Sequence, residues 1–108
     1  MTDRELLELA AKAAGIENKI WHMHASAFWV DVDSDNPYWN PLTDDGDALR
    51  LAVKLNLEIS HFTGAAYVAS YPHDYSLEGA DEPYGDNPYD ATRRAIVRAA
   101  AEIGKERH

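Results

Sequence analysis

Two alternating runs, Leu57–Phe62 and Ala65–Tyr71, stand with only Thr63-Gly64 between them. A two-residue connection joins neighbouring strands as an antiparallel hairpin, since parallel strands need a crossover of a dozen or more residues. Pro72 follows and ends the second strand, because it has no amide to donate to a ladder. Any fold of this chain is therefore built around that hairpin, and its apolar face needs cover.

Helical periodicity on both sides supplies the cover. Thr2 and Glu5 form a capping-box pattern, Leu6, Leu9, Ala10 and Ala13 recur at helical spacing, and Gly15 supplies a stop. A helix is expected over residues 3–14, with Glu8 and Lys12 as an i,i+4 pair. Thr43 or Asp44 caps a second helix with Asp44, Asp45 and Asp47 at its positive end. Ala48, Leu51, Ala52 and Leu55 form its buried stripe, and Asn56 ends it. A third helix is expected from a cap at Asp90 to a stop at Gly104, burying Thr92, Ile96, Ala99, Ala100 and Ile103.

Ahead of the second helix, Ala25–Asp33 alternates with period two and reads as a strand. Asn36-Pro37 and Asn40-Pro41 mark Ser34–Leu42 as loop, because the residue before a proline is pushed out of the helical region. His73–Tyr89 has no periodicity and reads as a long acidic loop. The expected order is helix, strand, helix, hairpin, helix. The fold class is α+β: a three-stranded, largely antiparallel sheet packed with three helices, α/β/α sandwich-like, in one domain over 1–108.

Composition excludes several kinds of chemistry. With 45 % hydrophobic and 27 % charged residues over 108 positions, the chain has the make-up of one folded domain with its own core. It has no cysteine, so disulfides, thiolate zinc sites and redox thiols are ruled out. Asp3 and Glu5 stand where a signal peptide would carry basic residues, and no apolar run reaches the roughly 20 residues of a membrane span. A cytoplasmic protein without membrane contact is expected. The net charge of −9 repels a phosphate backbone and argues against direct nucleic-acid binding. Charge is also segregated: Asp31–Asp47 and Asp74–Asp90 each hold six acids and no Lys or Arg, while Arg93, Arg94, Arg98, Lys105 and Arg107 crowd the end.

Trp39-Asn40-Pro41, then Asp44 and the Ala48–Leu55 helix, then the hairpin, then Ala91-Thr92-Arg93-Arg94-Ala95-Ile96-Val97-Arg98-Ala99-Ala100 together resemble the small phage and prophage proteins grouped as a phage α/β/α sandwich domain. The likeness covers the first helix and the chain from about residue 39 onward, with the strand over Ala25–Asp33 and the acidic loop outside it. It implies an antiparallel sheet covered by helices in a protein carried by bacteriophages. The family has no established activity, so the resemblance transfers no catalytic residue.

Candidate sites follow from residue types. Asp31, Asp33 and Asp35 begin like a calcium loop, but Asn36 replaces its glycine and Leu42 its bidentate glutamate, which favours a solvated acidic loop. His22 and His24 could share a face and be joined by His61, His73, Asp31 or Asp33 around a metal, but the spacing alone is weak, and no metal or other cofactor is expected. Trp39, Tyr38, Tyr84 and Tyr89 fall in expected loops, where exposed aromatics mark binding surfaces unless they staple helix entries. With Arg93, Arg94 and Arg98 as phosphate forks, Trp39, Asn40, Tyr84 and Tyr89 would suit a nucleotide-like ligand. The bland alternative is that the arginines pair with the chain's own acids.

Two non-catalytic functions result, both acting on a host. One is sequestration of a small nucleotide-like signal in counter-defence. The other is inhibition of a host protein by an acidic surface. A metal-assisted hydrolase centred on His22, His24 and Asp31 is the third alternative. A homo-oligomer is expected, because small proteins readily build pockets between subunits.

Overall fold

The hairpin forms as read. In a computed structural model that describes residues 1–17, 19–30, 37–70 and 79–106, Leu57–Phe62 pairs one-to-one with Ala65–Ser70, from Leu57 opposite Ser70 to Phe62 opposite Ala65. The full order is α1 (Asp3–Ala13), β1 (Ile20–His22), β2 (Ala27–Trp29), β3 (Tyr38–Trp39), α2 (Asp45–Lys54), β4 (Leu57–Phe62), β5 (Ala65–Ser70), β6 (Ala80–Pro83) and α3 (Pro88–Lys105). The fold is α+β, with three helices and two three-stranded antiparallel sheets, β1-β2-β3 and β4-β5-β6, among the described residues.

The three-stranded sheet expected around the hairpin is β4-β5-β6, but its third strand comes from within the stretch read as acidic loop. Ala80–Pro83 carries two acids and a proline in four residues, so it gives no strand signal. It pairs with β5 from Ala65 opposite Pro83 to Val68 opposite Ala80, as an edge strand where a proline is tolerated, with Asp81 opposite Tyr67 on the outer face and Glu82 opposite Ala66 on the face that meets α3, paired with Arg98. The expected strand over Ala25–Asp33 is shorter. Ala25 and Ser26 lie in the turn after β1, with Ser26 at φ 50, and β2 joins the second sheet instead.

The expected loop Ser34–Leu42 likewise contains β3. Trp39 lies opposite Phe28 across the ladder, and both are buried, so pairing follows the two aromatic core residues rather than the prolines around them. Asp31–Asn36 and Tyr71–Glu78 lie outside the described residues, as do Asn18, Arg107 and His108. With them fall the calcium-like run, His73, Asp74 and the end of the second hairpin strand.

Helix ends obey local chemistry. Thr2 caps α1 through the complete capping box, and Gly15 follows its end at φ 77. Asp44 caps α2 by accepting from the Asp47 amide, and Asn56 follows Leu55 at φ 54, the left-handed conformation that asparagine tolerates. The cap of α3 is not Asp90 but Asn87, whose Oδ1 accepts from the amides of Tyr89 and Asp90 while Pro88 occupies the first helical turn. Nor does Gly104 end this helix, which runs on to Lys105. Gly104 packs on the Leu9 carbonyl of α1, where a Cβ would collide with the oxygen.

α3 touches α1 extensively and all three strands of the β4-β5-β6 sheet, while α1 has no comparable contact with that sheet. α3 is thus the layer between them, which explains a buried set wider than one stripe: Ala91, Ala95, Ile96, Val97, Ala99, Ala100, Ala101 and Gly104. On α1, Leu6, Leu7, Ala10, Ala11 and Ala13 are buried. The sheet's inner face contributes Ala66, Val68 and Ala80 to the same core, and the second sheet contributes Phe28 and Trp39.

Candidate functional site

Arg94, Arg98 and Lys105 fall on one stripe of α3 at spacings of four and seven, and they line a groove of about 500 Å³. Its other walls are Met1 and Leu6 beside α1, and Gly79, Ala80 and Glu82 of the β6 strand region; Ala101 and Glu102 complete the α3 wall. The two arginines named from sequence therefore do share a concave surface. Trp39, Asn40, Tyr84, Tyr89 and Arg93 are not part of its lining.

The cations in the groove have acid partners from the same chain. Arg94 meets Asp3 Oδ1 at 3.2 Å, and Lys105 meets Glu102 Oε1 at 2.9 Å. Arg98 donates from one terminal nitrogen to the Asp81 carbonyl at 3.0 Å and to Glu82 Oε2 at 2.5 Å. Exposed pairs of this kind contribute at most about 1 kcal/mol each, so a ligand anion could displace the carboxylates at small cost. The partners Asp3 and Glu82 left no signal in the sequence, because they lie 91 and 16 positions from their arginines.

Arg93 has a different role. Its side chain is largely buried; Nε donates to the Leu42 carbonyl at 3.0 Å, and the two terminal nitrogens reach Asp45 and Asp90. It ties α3 to the start of α2. Asn40 stands in the same junction: its amide donates to Asp47 Oδ2 at 3.0 Å, its Oδ1 accepts from the Leu42 amide at 2.9 Å, and its Nδ2 donates to the Ser26 carbonyl at 2.6 Å. Asp47, buried, also accepts from Arg50 at 2.7 Å. Trp39, expected in a loop, packs in the core beside them at 9 % exposure.

The remaining aromatics are spread out. Tyr84 is half-buried, its hydroxyl 2.6 Å from His61 Nδ1, and its amide donates to the Gly64 carbonyl, closing the hairpin against β6. Tyr89 is 73 % exposed in the first turn of α3, not in a loop. His22 and His24 have ring centroids 6.2 Å apart, and His22 Nδ1 accepts from the Ala25 amide. Tyr38 stacks edge-on to His22 and to Trp29. Among the described residues no three His, Asp or Glu side chains come together as a metal site.

Within the described residues no helix is long and apolar enough to cross a membrane. Comparison of the chain with protein-family models, curated proteins and solved structures gives no match.

Proposed function

We propose that the protein is a non-catalytic binding protein that presents an acidic exterior to a basic surface on a partner protein. The observation that carries this reading is the pairing of Arg93, Arg94, Arg98 and Lys105 with Asp45, Asp90, Asp3, Glu82 and Glu102. Neutralised in this way, the basic helix leaves the surplus of the −9 chain on exposed acids such as Glu17 and Asp86. Such a field attracts a cationic surface and speeds its encounter. The resemblance to phage sandwich-domain proteins supports a host protein in the bacterial cytoplasm as that partner, with counter-defence as the purpose.

The test is retention of bacterial proteins on the immobilised chain, eluted by rising salt, beside a Glu17→Lys/Asp86→Lys variant. The reading expects a specific basic protein that elutes below about 0.5 M salt and is lost to the variant. A partner held at high salt, or bound equally by the variant, would sink it.

A second reading is favoured by the groove itself: sequestration of a small nucleotide-like anion between Arg94 and Arg98. Binding to the folded state at a hundredfold excess over Kd would stabilise it by about 2.7 kcal/mol. A panel of cyclic and adenine nucleotides should then raise the melting temperature of the native chain and not that of Arg94→Ala. No shift with any of them removes this reading.

A further inference from the structure

The outer edge of β4 is an unusual surface for so acidic a chain. In the sheet order β4-β5-β6 this strand has β5 on one side, and among the described residues no strand pairs with the other. Exposed edges are ordinarily blunted by Lys, Pro or a bulge. β4 has none of these: its sequence Leu57-Glu58-Ile59-Ser60-His61-Phe62 runs in unbroken one-to-one register with β5. Residues 55–70 contain one acid, Glu58, and no Lys or Arg. Two copies that each carry −9 repel at most approaches, and this stretch is where they can come together at low electrostatic cost. A basic partner would find little there to attract it.

The side chains also match a copy of themselves. Glu58, Ser60 and Phe62 share the outer face of the sheet with their ladder partners Ala69, Tyr67 and Ala65, and the core residues Ala66 and Val68 lie on the other face. Phe62 is 61 % exposed. A hollow of about 190 Å³ opens on the sheet, lined by Glu58, Ser60, Tyr67, Ala69 and Ser70. Tyr67, one wall of the hollow, reaches toward Gly79, where its ring occupies the space a Cβ would take. When two β4 strands pair antiparallel with Ser60 opposite Ser60, Phe62 of each copy falls opposite Glu58 of the other, beside that hollow.

We propose that β4 is a homodimer edge: two copies join antiparallel about a twofold axis at Ser60, extending the sheet to six strands, with each Phe62 seated in the hollow of the other copy. The axis is perpendicular to the sheet, so both α3 helices lie on one face and both phenylalanines on the other. Buried area at one strand edge is modest, which makes the dimer reversible with concentration.

Sedimentation velocity on the native chain from roughly 1 µM to 1 mM is expected to show the mass rising from 12.1 kDa toward twice that value. Added salt should favour the dimer, because it screens the repulsion, whereas a complex between opposite charges would weaken. Phe62→Asp should raise the dimer Kd at least tenfold and leave the melting curve unchanged at concentrations where the native chain is monomeric. Because the chain has no cysteine, Ser60→Cys offers a direct probe of the axis. It should oxidise to a covalent dimer far faster than Leu49→Cys, placed on an exposed site of α2. A native chain still monomeric at the highest concentration, a dimer indifferent to Phe62→Asp, or a Ser60→Cys variant no faster to cross-link than the Leu49→Cys control would each overturn the proposal.

Discussion

Arg93 Nε of α3 donates to the carbonyl of Leu42 at 3.0 Å, joining parts of the chain 51 positions apart. The bond satisfies a backbone oxygen just ahead of α2, and the same guanidinium reaches Asp45 at the helix start and Asp90 on its own helix. A planar fork with donors in several directions can serve these partners together.

Arg93→Ala is therefore expected to lower unfolding stability by about 1.5–3 kcal/mol, the usual loss for hydrogen bonds to charged groups. Arg93→Lys should recover less than half of this, because an ammonium is a point donor. Urea denaturation measures both; a loss no larger than that of Arg94→Ala would assign Arg93 to the surface.

Gly104→Ala tests the contact between α1 and α3. In an open helix this change stabilises by about 1 kcal/mol, whereas overpacking costs about 1–3 kcal/mol. Since the added Cβ meets the Leu9 carbonyl, a net destabilisation is expected, and a rise in the melting temperature would contradict the close approach.

Trp39→Ala should destabilise by about 3–5 kcal/mol, as for other large core truncations. The native Trp39 ring sits in the core with Phe28, so fluorescence of a Trp21→Phe/Trp29→Phe variant should be blue-shifted and poorly quenched by iodide. Ready quenching would return Trp39 to the surface.

Glu5 gives the chain a pH dependence at α1. The Thr2 hydroxyl, and then the Thr2 amide, hold its carboxyl below the ordinary value of 4.5. A group depressed in the folded state stabilises fully above its unfolded pKa, and that contribution is lost as pH falls through the folded value. Fraying of the first turn of α1, followed by amide exchange, should increase as pH drops below about 4.5. Glu5→Gln should flatten that response; an unchanged profile would show that the capping box does not carry it.

What could be read from the sequence was what local chemistry decides. The Thr2–Glu5 box, the Asp44 cap, the left-handed Asn56 and the two-residue turn at Thr63-Gly64 are settled within a few positions, and each stands where expected. β3 and β6 were not visible, because two residues beside prolines and four residues rich in acid have no periodicity of their own. They become strands when β2 and β5 offer ladders, a long-range cause. The cap of α3 lies three residues ahead of Asp90 because Asn87 and Asp90 both suit a cap and Pro88 favours the earlier start.

The site divides in the same way. That Arg94 and Arg98 share a face was legible from their spacing of four. That Asp3 and Glu82 answer them was not, nor was the burial of Trp39, since both depend on packing between distant segments.

Alanine has no rotamers to lose or to rearrange and fills much of the core that α1 and α3 share, and at Gly104 the two helices meet backbone to backbone against the Leu9 carbonyl. A contact between backbones has no side chain that can swing aside. Leu6, Arg94 and Arg98 of the groove stand on these two helices. On the second reading proposed above, a guest would exchange counterions on helices already packed together, without the entropic penalty of bringing them together first.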